Sequence, residues 1–267
     1  MIAPAADSRA VEALMAFWAE AGVDACFEDA PVDRLRPISP AAAAAKSGGA
    51  ATASPLRVAA TGGIADAMAE ARRAAAAALD LEQLQAAIAA FQGCPLSTMG
   101  ARQAVFGRGD PAGGLLVVGE GPGAEEDLKG QPFVGKAGQL LDRMLAAAGL
   151  TDRAFITNTV YWRPPGNRTP TAEEQAVCAP FLERTFELMR PKAVLTLGAA
   201  AARQVLKTDE GITRARGVWG EWRLAEGDVS APVMPTLHPA FLLRQPQAKR
   251  EVWADLLDVA ARFDAAQ

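Results

Sequence analysis

The sequence predicts a three-layer α/β fold with a short, mostly parallel central sheet, preceded by an N-terminal extension that is partly helical and partly disordered. After Phe91, short apolar runs alternate with longer amphipathic segments, the pattern of repeated strand and helix. The first run, 115–118, is apolar throughout, as is typical of parallel strands buried on both faces. Glycine or polar residues follow several runs, so we expect a ligand site at the carboxyl ends of the strands.

Composition divides the chain, and we place the boundary of the packed domain near residue 85, where an alanine-rich region with scattered proline and glycine ends. Apolar side chains at near-helical spacing after Ser8 predict a short helix, and the stretch that follows cannot bury enough apolar area to order itself. The expected organisation is a short helix in 1–29, a linker in 30–63, a helical lead-in in 64–90 and an α/β domain in 91–267.

The α/β domain is expected to contain four main strands and three main helices. We expect strands at 115–118, 155–158, 193–197 and 233–237, and helices at 138–148, at 171–189 and after Ala199. Thr171 and Glu174 have the spacing of a capping box, in which each side chain bonds the backbone amide of the other residue. This pair therefore predicts the start of the longest helix.

Charge and cysteine content limit the class of protein. The net charge is −4, and residues 91–267 carry 20 basic and 20 acidic side chains, which argues against coating nucleic acid by bulk charge but permits a local basic rim. No apolar run is long enough to span a membrane and the N-terminus lacks the pattern of a secretory signal, so we expect a cytoplasmic protein with no membrane partner. We also expect a monomer. The three cysteines form no CxxC pair and are expected to be reduced thiols.

Two segments after the first strand could bind a ligand. The loop 119–123 contains three glycines, which let backbone N–H groups approach a ligand closely, although many such loops are simple turns. Phe133 lies in a second glycine-containing loop, where its ring could stack on a planar ligand or pack in the core.

Two polar residues stand at the ends of later strands. Asn158 closes an apolar strand, where a buried amide is costly unless its hydrogen bonds are made, although an Asn can also end a strand by bonding backbone in a turn. His238 is the only histidine, and it precedes Pro239 directly after a predicted strand. A lone histidine is often structural, but this position favours a functional loop.

Four segments carry a resemblance to a known family. In order, they are GEGPGAEED, GQPFVGKAG, ITNTVYWRPPGNRTP and LHPAFLLR. Together they resemble the motifs of the fourth family of uracil-DNA glycosylases, the iron–sulfur enzymes typified by thermophile proteins. The resemblance covers about residues 91–260 and implies the uracil-DNA glycosylase fold and a monofunctional glycosylase that removes flipped-out uracil from DNA.

The resemblance also implies roles for individual residues. Phe133 would stack on the uracil and Asn158 would bind its N3–H and O4. His238 would donate to O2 as negative charge develops there, which makes it the main catalytic residue. Glu120 is the candidate for placing the water, because Gly121 stands where better-known glycosylases carry an aspartate. The remaining residues expected in the uracil pocket are Gly121, Pro122, Gly123 and Glu126.

The same resemblance implies contacts to the DNA itself. Leu242 or Leu243 would enter the duplex to hold the gap left by the base, and Arg168 and Arg244 would bind phosphates. Uracil-containing DNA is thus the expected partner, and the partner of the N-terminal extension is left open.

The chain departs from the family at the cluster. The family pattern has four cysteines, and the corresponding positions here are Phe91, Cys94, Trp162 and Cys178. Two aromatic rings replace two thiolate ligands, so we expect no iron–sulfur cluster and no other metal or cofactor. Cys94 and Cys178 would be remnants of the site.

Two alternative functions stay open at this point. The chain could be a non-catalytic module that binds damaged or replicating DNA, although Phe133, Asn158 and His238 would then form a base pocket without use. It could also excise another deaminated base, such as hypoxanthine, because only the edge of the base would differ.

Overall fold

The computed structural model describes residues 63–225 and 228–264. The helix expected in 1–29 lies outside the described residues, as does the linker 30–63 apart from its last residue. The described strands are β1 Gly107–Gly109, β2 Leu115–Gly119, β3 Ala154–Asn158, β4 Ala193–Leu197, β5 Gly220–Arg223 and β6 Ser230–Thr236. The described helices are α1 Ile64–Ala77, α2 Leu81–Ala90, α3 Ala124–Lys129, α4 Lys136–Ala147, α5 Ala172–Met189, α6 Ala199–Leu206, α7 Ile212–Ala215, α8 Pro239–Arg244 and α9 Lys249–Asp264.

The six strands form one sheet in the order β1-β3-β2-β4-β6-β5. The four inner strands are parallel, and β1 and β5 are antiparallel strands at the two edges. The carboxyl ends of the inner strands therefore meet at one edge of the sheet, as expected from the sequence. In the register of β2 and β3, Gly119 pairs with Asn158, so two predicted site residues are direct neighbours.

Each face of the sheet has its own apolar core. Along β2, Leu116 and Val118 face the core formed with α1, α2 and α5, whereas Leu115 and Val117 face the core formed with α4 and α9. This alternation explains why the strand is apolar at every position. The predicted fold class is confirmed, with a mixed sheet between two helical layers.

The lead-in helices belong to the first of these cores. Helices α1 and α2 pack against α5, and their buried side chains include Ala71, Leu84 and Ile88. The described chain on both sides of residue 85 thus contributes to one core, because these two short helices bury their apolar stripes on α5.

Helix α5 begins as the sequence predicts. The Oγ1 of Thr171 accepts a hydrogen bond from the amide of Glu174 at 3.2 Å, and Glu174 accepts one from the amide of Thr171 at 2.8 Å. Both bonds satisfy amides that the first helical turn leaves free. Among the described helices, none is both long and apolar enough to cross a membrane.

Candidate active site

A cleft of about 660 Å³ opens at the carboxyl edge of the sheet. Of the residues expected in the site, it is lined by Glu120, Gly121, Pro122, Gly123, Glu126, Phe133, Arg168, His238 and Arg244. Residues that the sequence did not indicate also line it, among them Asn167, Pro170 and Phe241. A second cavity, of about 330 Å³, lies between α1, α5 and α6 and contains none of the expected site residues.

The Asn158 side chain lies at the base of the site, at the end of β3. It is 1% exposed, and neither its Oδ1 nor its Nδ2 has a hydrogen-bond partner. A buried amide left unpaired costs about 1–3 kcal/mol. Among the described residues, Tyr161 and Thr196 also have an unpaired buried hydroxyl, but only Asn158 has two unpaired atoms, a donor nitrogen beside a separate acceptor oxygen.

Gly119 brings Asn158 and Phe133 together. A Cβ at Gly119 would lie 2.5 Å from two atoms of the Phe133 ring and 2.6 Å from Oδ1 of Asn158. Any larger side chain would displace the ring or the amide, so glycine is required here by close approach. Asn158 does not line the cleft itself, and its amide lies next to the Phe133 ring where β2 and β3 end.

His238 faces Phe133 across the cleft, with ring centroids 5.7 Å apart. Its side chain caps α8, because Nδ1 accepts a hydrogen bond from the amide of Ala240 at 3.1 Å. Burial, together with the nearby positive charge of Arg244, lowers the pKa of His238 to about 4, against an opposing effect of Glu126. The imidazole is therefore neutral at pH 7, and since Nδ1 is an acceptor, its proton is on Nε2.

Glu126 bonds the backbone around the cleft. Its Oε2 accepts from the amide of Gly123 at 3.1 Å, and its Oε1 accepts from the amides of Val134 and Gly135, each at 2.9 Å. The carboxylate thus connects the loop after β2 to the Phe133 loop. Glu120 lines the same cleft, and its carboxylate bonds no other described side chain.

A charged pair stands at the rim of the cleft. Arg168 donates two hydrogen bonds to Glu174, at 2.8 and 2.6 Å. These bonds lower the pKa of the Glu174 carboxyl, so the pair is charged at neutral pH. Because Glu174 also caps α5, the guanidinium of Arg168 is fixed to the end of a long helix rather than free at the surface.

The two leucines expected to contact DNA, Leu242 and Leu243, differ in their exposure to solvent. Leu242 is fully buried and packs in the core with α9, so its expected contact with DNA is corrected here: the α8 turn directs it into the protein. Leu243 is 45% exposed, and Phe241 is 37% exposed at the rim of the cleft. The large exposed apolar side chains of α8 are therefore Leu243 and Phe241, and sequence reasoning missed the second.

Comparison with known proteins places this chain in a family. The model of the uracil DNA glycosylase superfamily matches residues 106–257, which contain every strand of the sheet and every residue that lines the cleft. The chain belongs to the uracil DNA glycosylase superfamily. A type-4 uracil-DNA glycosylase of Pyrobaculum aerophilum is 37% identical over 183 residues, which cover 67% of this chain and 92% of that protein.

Two further type-4 uracil-DNA glycosylases are similar in the same region. The protein of Thermotoga maritima is 41% identical over 153 residues, covering 57% of this chain and 77% of its own. The protein of Archaeoglobus fulgidus is 40% identical over 154 residues, with the same two shares. The resemblance stated from the four motifs is thereby confirmed.

These relatives also correct the prediction about cofactors. We expected no cofactor, but the relatives are named type-4 enzymes, and that family consists of iron–sulfur enzymes, so the expectation of none conflicts with the family. Replacement of two ligand positions was too little to support that expectation.

The cysteines at the two retained positions lie together. The Sγ atoms of Cys94 and Cys178 are 3.8 Å apart and buried, and the hydrogen bond between them, with burial, raises the pKa of Cys178. Phe91 packs edge-on against Phe181 and lies 6.3 Å from the Trp162 ring. The described residues hold no group of three or more metal-ligating side chains, and Cys26 lies outside them. Cys94 and Cys178 alone do not complete the usual set of four cluster ligands.

Proposed function

We propose that the chain is a monofunctional uracil-DNA glycosylase, which hydrolyses the N-glycosidic bond of a flipped-out uracil in DNA and leaves an abasic site. The observation that carries the proposal is the unpaired Asn158 amide, buried beside the Phe133 ring. An unpaired buried amide lowers the stability of the folded protein. A ligand that binds there would supply the missing hydrogen bonds, which gives the unpaired amide a function.

The Watson–Crick edge of uracil fits this amide. Oδ1 of Asn158 would accept from N3–H and Nδ2 would donate to O4, so one base would pair both of the unpaired amide atoms. Phe133 would stack on the ring of the base. Cytosine carries an acceptor at N3 and a donor at C4, so it would present the opposite pattern to the same amide in this orientation.

Bond cleavage needs a donor for the departing base. As the bond between C1′ and N1 breaks, its electron pair goes to the uracil, and the negative charge spreads to O2. The Nε2–H of neutral His238 would donate to O2, at the place where charge develops. The sugar carbon, which becomes positive, is attacked by water, and the proton of this water is released.

Glu120 is proposed to place that water. Its carboxylate lines the cleft and forms no ion pair with a described residue, so it is available to a water molecule. The backbone of Gly121, Pro122 and Gly123 lines the adjoining wall. Glu126 would shape the uracil pocket through its three bonds to backbone amides, two of them in the Phe133 loop.

Contacts to DNA outside the pocket are proposed at the rim. Arg168 and Arg244 line the cleft and carry the positive charge that phosphates require, and Leu243 is exposed beside them. We also propose that the chain acts as a monomer. We propose that it acts in the cytoplasm.

The test is a substrate panel with the full-length chain. Oligonucleotides containing uracil, single-stranded or paired with guanine, should give alkali-labile abasic sites, and Asn158→Ala should lower kcat/KM about 10–100-fold, the worth of one bidentate base contact. Thr196→Val is the matched control, because it removes another unpaired buried polar atom on β4. Absence of uracil release by the wild-type chain would refute the proposal, and release of hypoxanthine instead would favour the other-base alternative.

A further inference from the structure

The Phe133 loop holds an unfavourable backbone conformation. Phe133 has φ 55°, in the left-handed region, which is disfavoured for a residue with a bulky side chain. Such a conformation persists only where the surroundings determine it. The groups that surround this loop therefore decide where the Phe133 ring lies.

Arg108 bonds the carbonyl side of the loop. It lies on the edge strand β1, and its Nε donates to the carbonyl of Pro132 at 2.7 Å while its Nη2 donates to the carbonyl of Phe133 at 3.0 Å. The same Nη2 forms an ion pair with Asp142 on α4 at 2.6 Å. One guanidinium thus fixes two successive carbonyls and is itself connected to the next helix.

The amide side of the loop is bonded by the opposite charge. Glu126 accepts from the amides of Val134 and Gly135, directly after the two carbonyls that Arg108 binds. Helix α4 adds a steric limit, because a Cβ at Gly138 would lie 1.7 Å from the carbonyl oxygen of Phe133. The backbone of residues 132–135 is therefore fixed by a cation on its carbonyls and a carboxylate on its amides.

We propose that Arg108 is a positioning residue for base recognition, which acts through Phe133. Its guanidinium is engaged by the carbonyls of Pro132 and Phe133 and by Asp142, so its effect is to keep Phe133 in the left-handed conformation that directs the ring at the bound base. This inference rests on the proposed function for its substrate, but the contacts that carry it belong to the loop alone.

Kinetics of the full-length chain test whether Arg108 acts through Phe133. Arg108→Gln should raise KM for a uracil oligonucleotide about tenfold, as expected for loss of a hydrogen bond to a charged group, and change kcat less than about threefold. Arg108→Lys should have a KM between those of the wild type and Arg108→Gln, because an ammonium group lacks the planar fork that reaches both carbonyls. Asp142→Asn is the matched control, since it removes only the half-exposed ion pair, and should stay within about twofold of wild type.

The decisive comparison is the double variant. If Arg108 acts through the Phe133 ring, adding Arg108→Gln to the Phe133→Ala variant should cause no further rise in KM. A purely structural role predicts that Arg108→Gln raises KM about tenfold both in the wild-type chain and in Phe133→Ala. That result would overturn the inference, as would an unchanged KM in the single variant Arg108→Gln.

Hydrogen exchange separates this inference from the proposed function. The backbone amides of Val134 and Gly135 should exchange at least about tenfold faster in Arg108→Gln, while those of α5 keep their wild-type rates. This readout needs no substrate. If the wild-type chain released no uracil, the proposed function would fail and the exchange rates alone would decide; unchanged exchange at the two amides would show that Arg108 does not fix the loop.

Discussion

His238 accepts a hydrogen bond at Nδ1 from the backbone amide of Ala240, 3.1 Å away. This single bond joins two properties of the side chain, because it caps α8 and it places the imidazole proton on Nε2. The nitrogen that holds the helix and the nitrogen that carries the proton are therefore different. Substitution can therefore separate them.

Asparagine at this position should keep the cap and lose the donor. His238→Asn should lower kcat about 100–1,000-fold, the effect of removing one donor from a developing oxyanion, with little change in KM. The free energy of unfolding should change by less than about 1 kcal/mol, because asparagine is a good N-cap. Steady-state kinetics and urea unfolding measure the two effects, with His238→Ala as the variant that loses both. Wild-type kcat in His238→Asn would rule out the catalytic role.

The only histidine of the chain gives one imidazole signal to follow by NMR. Its titration midpoint should lie at about 4 rather than 6.5, and Arg244→Gln should raise it, because the positive charge of Arg244 lowers the pKa of His238. The unfolded chain takes up this proton at a higher pH than the folded chain does. The free energy of unfolding should therefore fall as the pH is lowered from 6.5 to about 4.

The activity should follow the same titration. Because the pKa of His238 is about 4, its imidazole stays neutral well below pH 6.5. The pH profile of kcat should therefore show no inflection near pH 6.5 from the titration of His238. Protonation would place a second proton on Nδ1, against the amide that it now accepts from. A midpoint near 6.5 in the NMR titration would contradict the low pKa and the neutral state at pH 7.

A methyl group at Gly119 should disturb recognition more than stability. Gly119→Ala puts a Cβ against both the Phe133 ring and the Asn158 amide, and a displacement of about 1 Å in a reacting site can lower the rate about 100-fold. The overpacking should cost about 1–3 kcal/mol of unfolding free energy. Gly211→Ala is the control, because a Cβ there meets nothing within 4 Å. Equal activity of the two variants would argue against the close approach.

Leu242 and Leu243 should give opposite results when each is changed to alanine. Leu242→Ala leaves a cavity beside α9 and should lower the free energy of unfolding by about 2–5 kcal/mol. Leu243→Ala should stay within about 0.5 kcal/mol of wild type, because the side chain is half exposed.

The same two variants separate folding from the handling of duplex DNA. Leu243→Ala should lose about tenfold in kcat/KM on duplex uracil and much less on a single strand, where no stacked partner must be held open. Phe241→Ala offers a comparison at the neighbouring exposed position. An equal loss on both substrates would mean that Leu243 does not act by entering the duplex.

The central strands and the capped helix were accessible to sequence reasoning, since their signals are local. Apolar runs located β2, β3 and β4 to within a residue or so, and the capping box located α5. The edge strands β1 and β5 were missed. Each has few apolar side chains, and its pairing is determined by the neighbouring strand rather than by its own sequence.

In the candidate site, too, the features with a local sequence signal were predicted and those set by tertiary contacts were not. Positions at strand ends indicated Asn158 and His238 because parallel strands carry their ends to one edge. The burial of Leu242 could not be seen, because two successive leucines on a short helix give no sign of which one faces the core. The bonds of Arg108 and Glu126 to the Phe133 loop also depend on tertiary contacts between segments distant in the chain.

The sheet topology also determines when, during synthesis, the cleft can exist. Phe133 and Asn158, which are proposed to bind the base, leave the ribosome well before His238, which follows the strand β6. A nascent chain that ends before α8 has the amide and the ring but lacks the donor. A partial product of translation that ends before α8 is therefore expected to leave the bases of DNA intact, because the proposed site is complete only in a chain that also contains β6 and His238.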